Sequence, residues 1–237
     1  MHSRNFLFKF KLRNVRSIKL LLQLVSARSL REALPDSELS QLSLFRKYKS
    51  GVRIYENCGL NSRSNVIILG GYLGNSARTI FEEYQSNIKI FEPVKDFTLA
   101  CEKIFSDVER VQVINKAASD HNGNIEVFLD KDSTGTYSTG KTLTVECISF
   151  LEYLTSTNLV FDLVEMNIEG GEYVVLNELI ENNALSWSKN WLIQFHENDS
   201  SHELLRAQCR SALSNTHELV FSYAWVWELW KIKDSTS

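Results

Sequence analysis

Apolar and polar residues alternate in short, regular blocks over most of the chain from Asn65 onward. Runs of β-branched and other apolar residues are separated by stretches whose apolar residues recur at helical spacing. The strands predicted for the main sheet are 66–69, 88–91, 111–117, 161–168 and 191–195. Helices are predicted at 75–84, at 96–105, after an N-cap at Ser149, and from the Gly170-Gly171 pair to about 182. Strands that alternate with helices in this way form parallel βαβ units with right-handed crossovers.

The end of the chain has a different pattern. Residues 217–223 and 226–232 are two aromatic-rich alternating runs separated by about two residues, which predicts a hairpin whose tryptophans pack in the core and at the sheet edge. Extra strands are predicted at 125–129 and 143–147, around a Ser/Thr/Gly loop at 133–140. The predicted fold class is therefore α/β: a doubly wound, Rossmann-like sheet, mostly parallel, with an antiparallel C-terminal hairpin.

The N-terminal segment is predicted to be a helical extension. Residues 1–31 contain eight basic residues and no acidic one, interspersed with apolar residues at roughly helical spacing, and Asp36 is a suitable N-cap for a helix to about Lys47. We expect residues 1–50 to form this extension and residues 51–237 one domain. A basic amphipathic helix can pack on its own domain, contact a protein, or lie weakly on a membrane surface.

Charge and cysteine usage narrow the expected partners and compartment. The net charge is −3, but without residues 1–31 the chain has 18 basic and 29 acidic residues, a balance of −11. An acidic domain argues against nucleic acid as its partner, because phosphate binding needs a basic face. Four scattered cysteines without a C-x-x-C pair predict neither a metal site nor disulfides. We expect a cytoplasmic protein, because no apolar run is long enough to span a bilayer and no signal peptide is evident.

The first candidate site is a glycine turn followed by an acidic residue. Gly70, Gly71 and Gly74 lie between a predicted strand and a predicted helix, where missing side chains let a ligand approach the backbone and the helix N-terminus offers free N–H groups. Glu92 ends the next strand, where an acidic residue accepts the ribose hydroxyls of an adenosine. The alternatives are glycines needed for packing and a surface carboxylate. The glycine spacing differs from the G-x-G-x-x-G dinucleotide motif, and no P-loop is present.

The second candidate site follows two later strands. Asn167 and Glu169 are two residues apart, so they share a face if the strand continues that far. Glu169 and Glu172 flank a diglycine and are otherwise N-terminal helix charges. His196 ends the strand after that, and is either a general base or a structural histidine.

The motifs together resemble the FkbM-type methyltransferase family of class I S-adenosylmethionine-dependent enzymes over residues from about 65 to 232. The matching segments are Gly70-Gly-Tyr-Leu-Gly74, Phe91-Glu-Pro93, Ala117-Ala118…Gly123, Asn167-Ile-Glu-Gly-Gly-Glu172, Gln194-Phe-His196 and Thr216-His217…Val226-Trp-Glu-Leu-Trp230. The family often has an aspartate where this chain has Ile68, and often reads K-x-D-x-E-G where this chain has Glu165-Met-Asn167-Ile-Glu-Gly.

The resemblance implies methyl transfer from S-adenosylmethionine, usually to an oxygen of a sugar or natural product. It implies that Gly70, Gly71 and Gly74 hold the methionine end of the cofactor, that Glu92 binds its ribose and that Ala118 flanks its adenine. Asn167 and Glu169 would face the cofactor and acceptor, and His196 or Glu169 would take the acceptor's proton. The alternatives are a non-catalytic homologue that binds the cofactor and an NAD-dependent oxidoreductase or epimerase.

Overall fold

The computed structural model describes residues 38–49, 51–130, 133–135, 141–197 and 200–234. Most of the predicted N-terminal extension, residues 1–37, and positions 136–140 of the predicted loop lie outside these residues. The helices are α1 (Glu38–Tyr48), α2 (Asn75–Tyr84), α3 (Lys95–Ile104), α4 (Phe150–Thr157), α5 (Glu172–Glu181) and α6 (His202–Thr216). The strands are β1 (Asn65–Leu69), β2 (Asn87–Phe91), β3 (Val111–Ile114), β4 (Ala117–Ser119), β5 (Gly123–Asp130), β6 (Ser133–Gly135), β7 (Lys141–Ser149), β8 (Leu163–Met166), β9 (Asn190–Ile193), β10 (His217–Tyr223) and β11 (Trp227–Ile232).

Seven strands form the main sheet, in the order β10-β11-β9-β8-β1-β2-β3. The five from β9 to β3 are parallel, whereas β11 pairs antiparallel with both β9 and β10. The order reverses at β1, because the chain runs first to β2 and β3 on one side and later to β8 and β9 on the other. This is a Rossmann-like sheet, mostly parallel, with an antiparallel C-terminal hairpin, and it confirms the predicted fold class.

Both faces of the main sheet are covered by helices. Ile67 and Leu69 of β1 belong to one core cluster, with apolar residues of α4, α5 and α6. Val66 and Ile68 belong to a second cluster, with residues of α2 and α3. This division follows from the period of two along a strand, which sends alternate side chains to opposite faces. A strand buried on both faces is a continuous apolar run, and β1 is such a run.

A second sheet, in the order β4-β7-β5-β6, was not predicted as a separate unit. The predicted strand 111–117 is wrong at its end: β3 stops at Ile114, and Ala117 begins β4, which pairs in parallel with β7. The predicted loop at 133–140 is also wrong in part, because residues 133–135 form β6 against β5.

Helix α1 packs on the domain that follows it. The compact unit of the chain begins at Glu38, and the ring of Phe45 lies edge-on against that of Tyr223, with 5.6 Å between ring centroids. In the described residues, no helix is long and apolar enough to cross a membrane. The four cysteines are buried and have free thiols.

Candidate functional site

The candidate residues converge on the carboxyl edge of four adjacent parallel strands. The N–H of Gly70, after β1, donates to the carbonyl of Phe91 at the end of β2 (2.9 Å). The N–H of Asn167, after β8, donates to the carbonyl of Leu69 (3.0 Å), and that of Gln194, after β9, to the carbonyl of Met166 (2.9 Å). Ligands of open α/β sheets bind outside this edge, close to the point where the strand order reverses.

The glycine turn is packed tightly against the protein itself. Gly70 has φ +88°, and a Cβ at this position would collide with the backbone carbonyl oxygen of Asn167. A Cβ at Gly71 would collide with the side chain of Ile90. Packing is therefore sufficient to explain both glycines. Their role in holding a ligand stays a prediction.

Gly74 directly precedes α2. It is the N-cap residue, with φ +75°, and as a glycine it has no side chain with which to cap the first turn of the helix. The first N–H groups of a helix have no partner within the helix, and the N-terminal end of the helix dipole is positive. This turn therefore offers hydrogen-bond donors beside the glycine motif.

Glu92 is buried and faces the glycine turn. The N–H of Tyr72 donates to Oε2 (2.8 Å) and the N–H of Val94 donates to Oε1 (2.9 Å). Burial raises the pKa of Glu92, and the N–H groups of Val94, Tyr72 and Gly71 partly offset that effect. A carboxylate has about four acceptor positions, so these N–H groups leave Glu92 able to accept further from a ligand.

Asn115 supports Glu92, and sequence reasoning missed it. Its Nδ2 lies 2.9 Å from the carbonyl oxygens of both Glu92 and Pro93, and 2.8 Å from Oγ1 of Thr98. It therefore fixes the turn that carries the carboxylate. A polar residue directly after β3, at the same edge of the sheet, was the signal that could have identified it.

Asn167 carries an unsatisfied acceptor at this edge. Its Oδ1 is buried and has no hydrogen-bond partner among the described residues. Buried polar atoms are rarely left without a partner, so each exception needs an explanation. The expected strand geometry is wrong, however. Strand β8 ends at Met166, and Glu169 adopts φ +53°, so Asn167 and Glu169 do not share a strand face.

His196 lies between two carboxylates. Its Nδ1 is 3.1 Å from Oε1 of Glu172, and its Nε2 is 3.4 Å from Oε2 of Glu169. Burial by itself lowers the pKa of His196, but the two carboxylates outweigh burial and raise this pKa to about 10. The two neighbouring carboxylates therefore favour the imidazolium form of the ring. An imidazolium has no lone pair for a proton, which argues against the predicted role of His196 as a general base.

The structure places Ala118 and Ile68 in apolar surroundings. Ala118 pairs with Ile148 in the second sheet and is buried in the core cluster that contains Phe91.

Ile68 is buried on the other face, and its neighbour in register on β8 is Glu165. Oε2 of Glu165 accepts the hydroxyl proton of Tyr55 (2.8 Å), a buried pair that the sequence pattern did not reveal. No described group of three or more His, Cys, Asp or Glu side chains could hold a metal ion.

Comparison with solved structures finds chains of similar fold at very low sequence identity. A putative rRNA-methylase from Clostridium thermocellum is 7% identical, with TM-score 0.48, over 85% of this chain and 98% of that one. The fibrillarin pre-rRNA processing protein of Methanococcus jannaschii is 10% identical, with TM-score 0.47, over 79% and 76%. Aeropyrum pernix fibrillarin with natively bound S-adenosyl-L-methionine is 8% identical, with TM-score 0.41, over 73% and 69%. No protein-family model matches the chain, and no curated protein matches its sequence.

These neighbours correct one expectation. A small-molecule or glycan acceptor was expected from the FkbM-type resemblance, and nucleic acid was excluded from the acidic balance of the domain, yet the similar structures include an rRNA-methylase and a pre-rRNA processing protein. The exclusion of nucleic acid was wrong because net charge is a sum over the surface, whereas nucleic acid responds to the local potential of one face. The predicted contact of the basic N-terminus with a membrane or protein lies outside the described residues.

Proposed function

We propose that this chain is an S-adenosylmethionine-dependent methyltransferase that binds its cofactor at the carboxyl edge of β1, β2 and β8. The observation that carries the proposal is the buried, unpartnered Oδ1 of Asn167 at this edge. An acceptor atom directed at a ligand's N–H group accounts for its lack of a protein partner. An adenosylmethionine has such a group in the ammonium of its methionine end.

The remaining donors and acceptors also fit this cofactor. Glu92 keeps acceptor capacity beyond its bonds to the backbone, which suits the hydroxyls of a ribose. The uncapped first turn of α2 suits a carboxylate. Glu92 and Glu169 give the edge negative charge, which favours a sulfonium cation. Gly70, Gly71 and Gly74 would border the methionine end, and Ala118 the adenine, as the FkbM-type resemblance implies.

Bound S-adenosylmethionine would supply a methyl group on a positively charged sulfur. The residues of this chain contribute binding, orientation and removal of a proton, and positioning alone supplies much of such a rate enhancement. Glu169 is our candidate to accept the proton of an acceptor hydroxyl, since its side chain is 28% exposed and lies next to His196. Methylation at oxygen is therefore part of the proposal, and the acceptor is left unnamed.

A non-catalytic binding protein is the second candidate, favoured by one observation. Ile68 occupies a position where the resembled family often has an aspartate, and here that position is apolar and buried. Such a chain would bind the cofactor without transferring its methyl group.

Calorimetric titration with S-adenosylmethionine, S-adenosylhomocysteine and NAD tests the proposal. We expect the first two to bind with micromolar affinity and NAD not to bind. Glu92→Ala should weaken S-adenosylhomocysteine binding by about 1–3 kcal/mol, because it removes an acceptor for buried hydroxyls. Glu83→Ala, an exposed carboxylate on α2, is the matched control and should leave the affinity unchanged.

Two outcomes would count against this assignment. A preference for NAD would exclude the methyltransferase, and equal affinities of Glu92→Ala and the parent chain would remove Glu92 from the site. Circular dichroism of each variant checks that the fold is intact. Tight binding combined with no release of S-adenosylhomocysteine in the presence of RNA, protein and glycan acceptors would support the non-catalytic candidate.

A further inference from the structure

Glu172 is a fully buried carboxylate at the centre of the polar cluster. Its Oε2 accepts from the N–H of Gly170 (2.8 Å), and its Oε1 accepts from the N–H of His196 (2.7 Å) and faces Nδ1 of the same residue (3.1 Å). Its side chain is 0% exposed, whereas that of Glu169 is 28% exposed. A buried charge is costly unless it is paired, so a residue that served only to cap α5 would more simply be a serine or aspartate at the N-cap.

The same geometry acts on the charge of His196. Nδ1 lies within hydrogen-bond distance of Glu172, while Nε2 lies at ion-pair distance from Glu169 and has no hydrogen-bond partner among the described residues. A carboxylate on each side of the ring favours the form that carries two protons. The hydroxyl of Tyr173, on α5, donates to the carbonyl of His196 (2.8 Å) and holds the backbone at this point. Among the described residues, Glu169 and Glu172 are the charged groups that face the ring.

The two carboxylates have different access to a ligand. Glu172 is enclosed by the diglycine turn and the end of β9, while Glu169 reaches the surface of the site. A carboxylate, a protonated ring and a second carboxylate thus form a line from the interior to the ligand-facing edge. Outer groups of this kind orient the groups that meet a ligand, and they fix which nitrogen of a histidine is protonated.

We propose that Glu172 is a positioning residue, which keeps His196 cationic and through that cation holds the Glu169 carboxylate in place to receive a proton. The role of Glu169 as proton acceptor rests on the proposed function. The effect of Glu172 on the charge of His196 concerns the ligand-free protein and does not. Glu172 need not contact either the cofactor or the acceptor for this role.

The first test is a nitrogen NMR titration of the His196 ring in the ligand-free full chain. In the parent chain we expect the ring to stay doubly protonated from about pH 6 to about pH 9, because the carboxylates raise its pKa. In Glu172→Gln the ring should lose a proton within this range, since one of its two counter-charges is gone. Glu178→Gln, on the same helix, is the matched control: it removes the charge that accepts from Ser149 Oγ and should leave the His196 titration unchanged.

The second test is the pH dependence of S-adenosylmethionine binding. The parent chain is the reference at each pH, because Glu92 and the cofactor's own ammonium titrate in every variant. The affinity of Glu172→Gln relative to the parent should increase several-fold with pH, as loss of the ring proton removes a positive charge near a cationic ligand. The double variant Glu172→Gln/His196→Asn should keep a constant ratio to the parent, which assigns the dependence to His196.

The outcomes separate the two levels of the proposal. A neutral His196 ring in the parent chain at about pH 7, or an unchanged ring titration in Glu172→Gln, would overturn the inference whatever the ligand. Failure of the parent chain to bind S-adenosylmethionine would instead overturn the proposed function, while the ring titration still decides whether Glu172 controls His196. If Glu172→Gln does not fold, Glu172→Asp, which keeps the charge but shortens its reach, replaces it in both tests.

Discussion

Gly70 shows how one missing side chain sets the geometry of the whole edge. Its positive φ turns the chain at the end of β1, and the space that a Cβ would fill is occupied by the carbonyl of Asn167. The close contact keeps the ends of β1 and β8 together, which places the Asn167 amide beside the glycine turn. The glycine serves the site by allowing two pieces of backbone to approach.

Gly70→Ala should therefore lower the free energy of unfolding by more than the cost of placing an alanine at a positive φ. Gly59→Ala is the matched control, since Gly59 also has a positive φ (+65°) but a Cβ there would meet nothing within 4 Å. The control should cost about 1–2 kcal/mol, the usual penalty for a left-handed non-glycine residue. Gly70→Ala should cost at least about 2 kcal/mol more, because strands must separate. Urea unfolding measures the loss of unfolding free energy in both variants. Equal losses would mean that the ends of β1 and β8 move apart at no cost in free energy.

At the level of elements, helix α6 and the C-terminal hairpin are joined through one buried carboxylate. Oε1 of Glu228 accepts from Arg206 and, at 2.7 Å, from Nη1 of Arg210, and its Oε2 accepts from the indole N–H of Trp230 (3.0 Å). The guanidinium of Arg206 also lies over the ring of Trp225, 4.7 Å from its centroid. The hairpin is therefore held to the helix by charge as well as by apolar packing.

Glu228→Gln should cost about 3 kcal/mol of unfolding free energy, because it leaves two guanidinium groups beside an uncharged amide. Glu218→Gln, an exposed position on the neighbouring strand β10, should cost less than about 0.5 kcal/mol. Thermal or urea unfolding of the two variants gives the comparison. Equal unfolding free energies of the two variants would imply that solvent replaces the carboxylate at both arginines at no cost in stability. Packing alone would then hold the hairpin to the helix.

The elements that the sequence predicted best are those with their own local signals. The helix at 75–84 was predicted with the bounds that the structure has, since it follows a glycine turn, and Ser149 caps α4 as expected by accepting from the N–H of Glu152 (3.1 Å). Helix α6 was missed, because its face toward the sheet is made partly of Cys209, His202 and arginines rather than a clean apolar stripe. The break between β3 and β4 was missed because partner choice between two sheets is a long-range property.

In the candidate site too, features with a local sequence signal were predictable and features that depend on distant residues were not. The edge itself was predictable, since the strand order of a doubly wound sheet brings Gly70, Glu92 and Asn167 together. The charge on His196 could not be predicted from the sequence, because it depends on Glu172, which lies 24 residues away in the chain. The support from Asn115 also depends on a turn whose shape the sequence pattern does not specify.

For the whole molecule, buried ionisable groups make stability depend on pH. Burial raises the pKa of Glu165, while the bonds from Ser76 and Tyr55 partly oppose that effect. A carboxyl group with a raised folded-state pKa stabilises the fold below its unfolded-state pKa, and this contribution is lost as pH rises through the folded-state pKa. His217 behaves in the opposite direction: burial lowers its pKa, so its stabilising contribution is lost as pH falls.

Replacing Glu165 by glutamine isolates one of these contributions. The amide oxygen can still accept from Tyr55, whose hydroxyl is 2.8 Å from the carboxylate, but it never ionises. Below the ordinary pKa of a glutamate side chain the carboxyl is protonated in both the folded and the unfolded chain, and the two proteins should have similar unfolding free energies. As pH rises through the raised pKa of Glu165, Glu165→Gln should become more stable than the parent by on the order of 1 kcal/mol, because the parent carboxyl then becomes a buried charge.

The informative quantity is the difference between the unfolding free energies of the two proteins at each pH. Glu92, His217 and the other titrating groups that do not interact with Glu165 contribute equally to both. That difference should increase from near zero and then level off once the parent carboxyl is fully ionised. A difference that is constant with pH would mean that Glu165 titrates alike in the folded and unfolded states. A variant less stable at about pH 8 would mean that the two hydroxyl donors stabilise the ionised carboxylate by more than burial costs, the opposite sign of linkage.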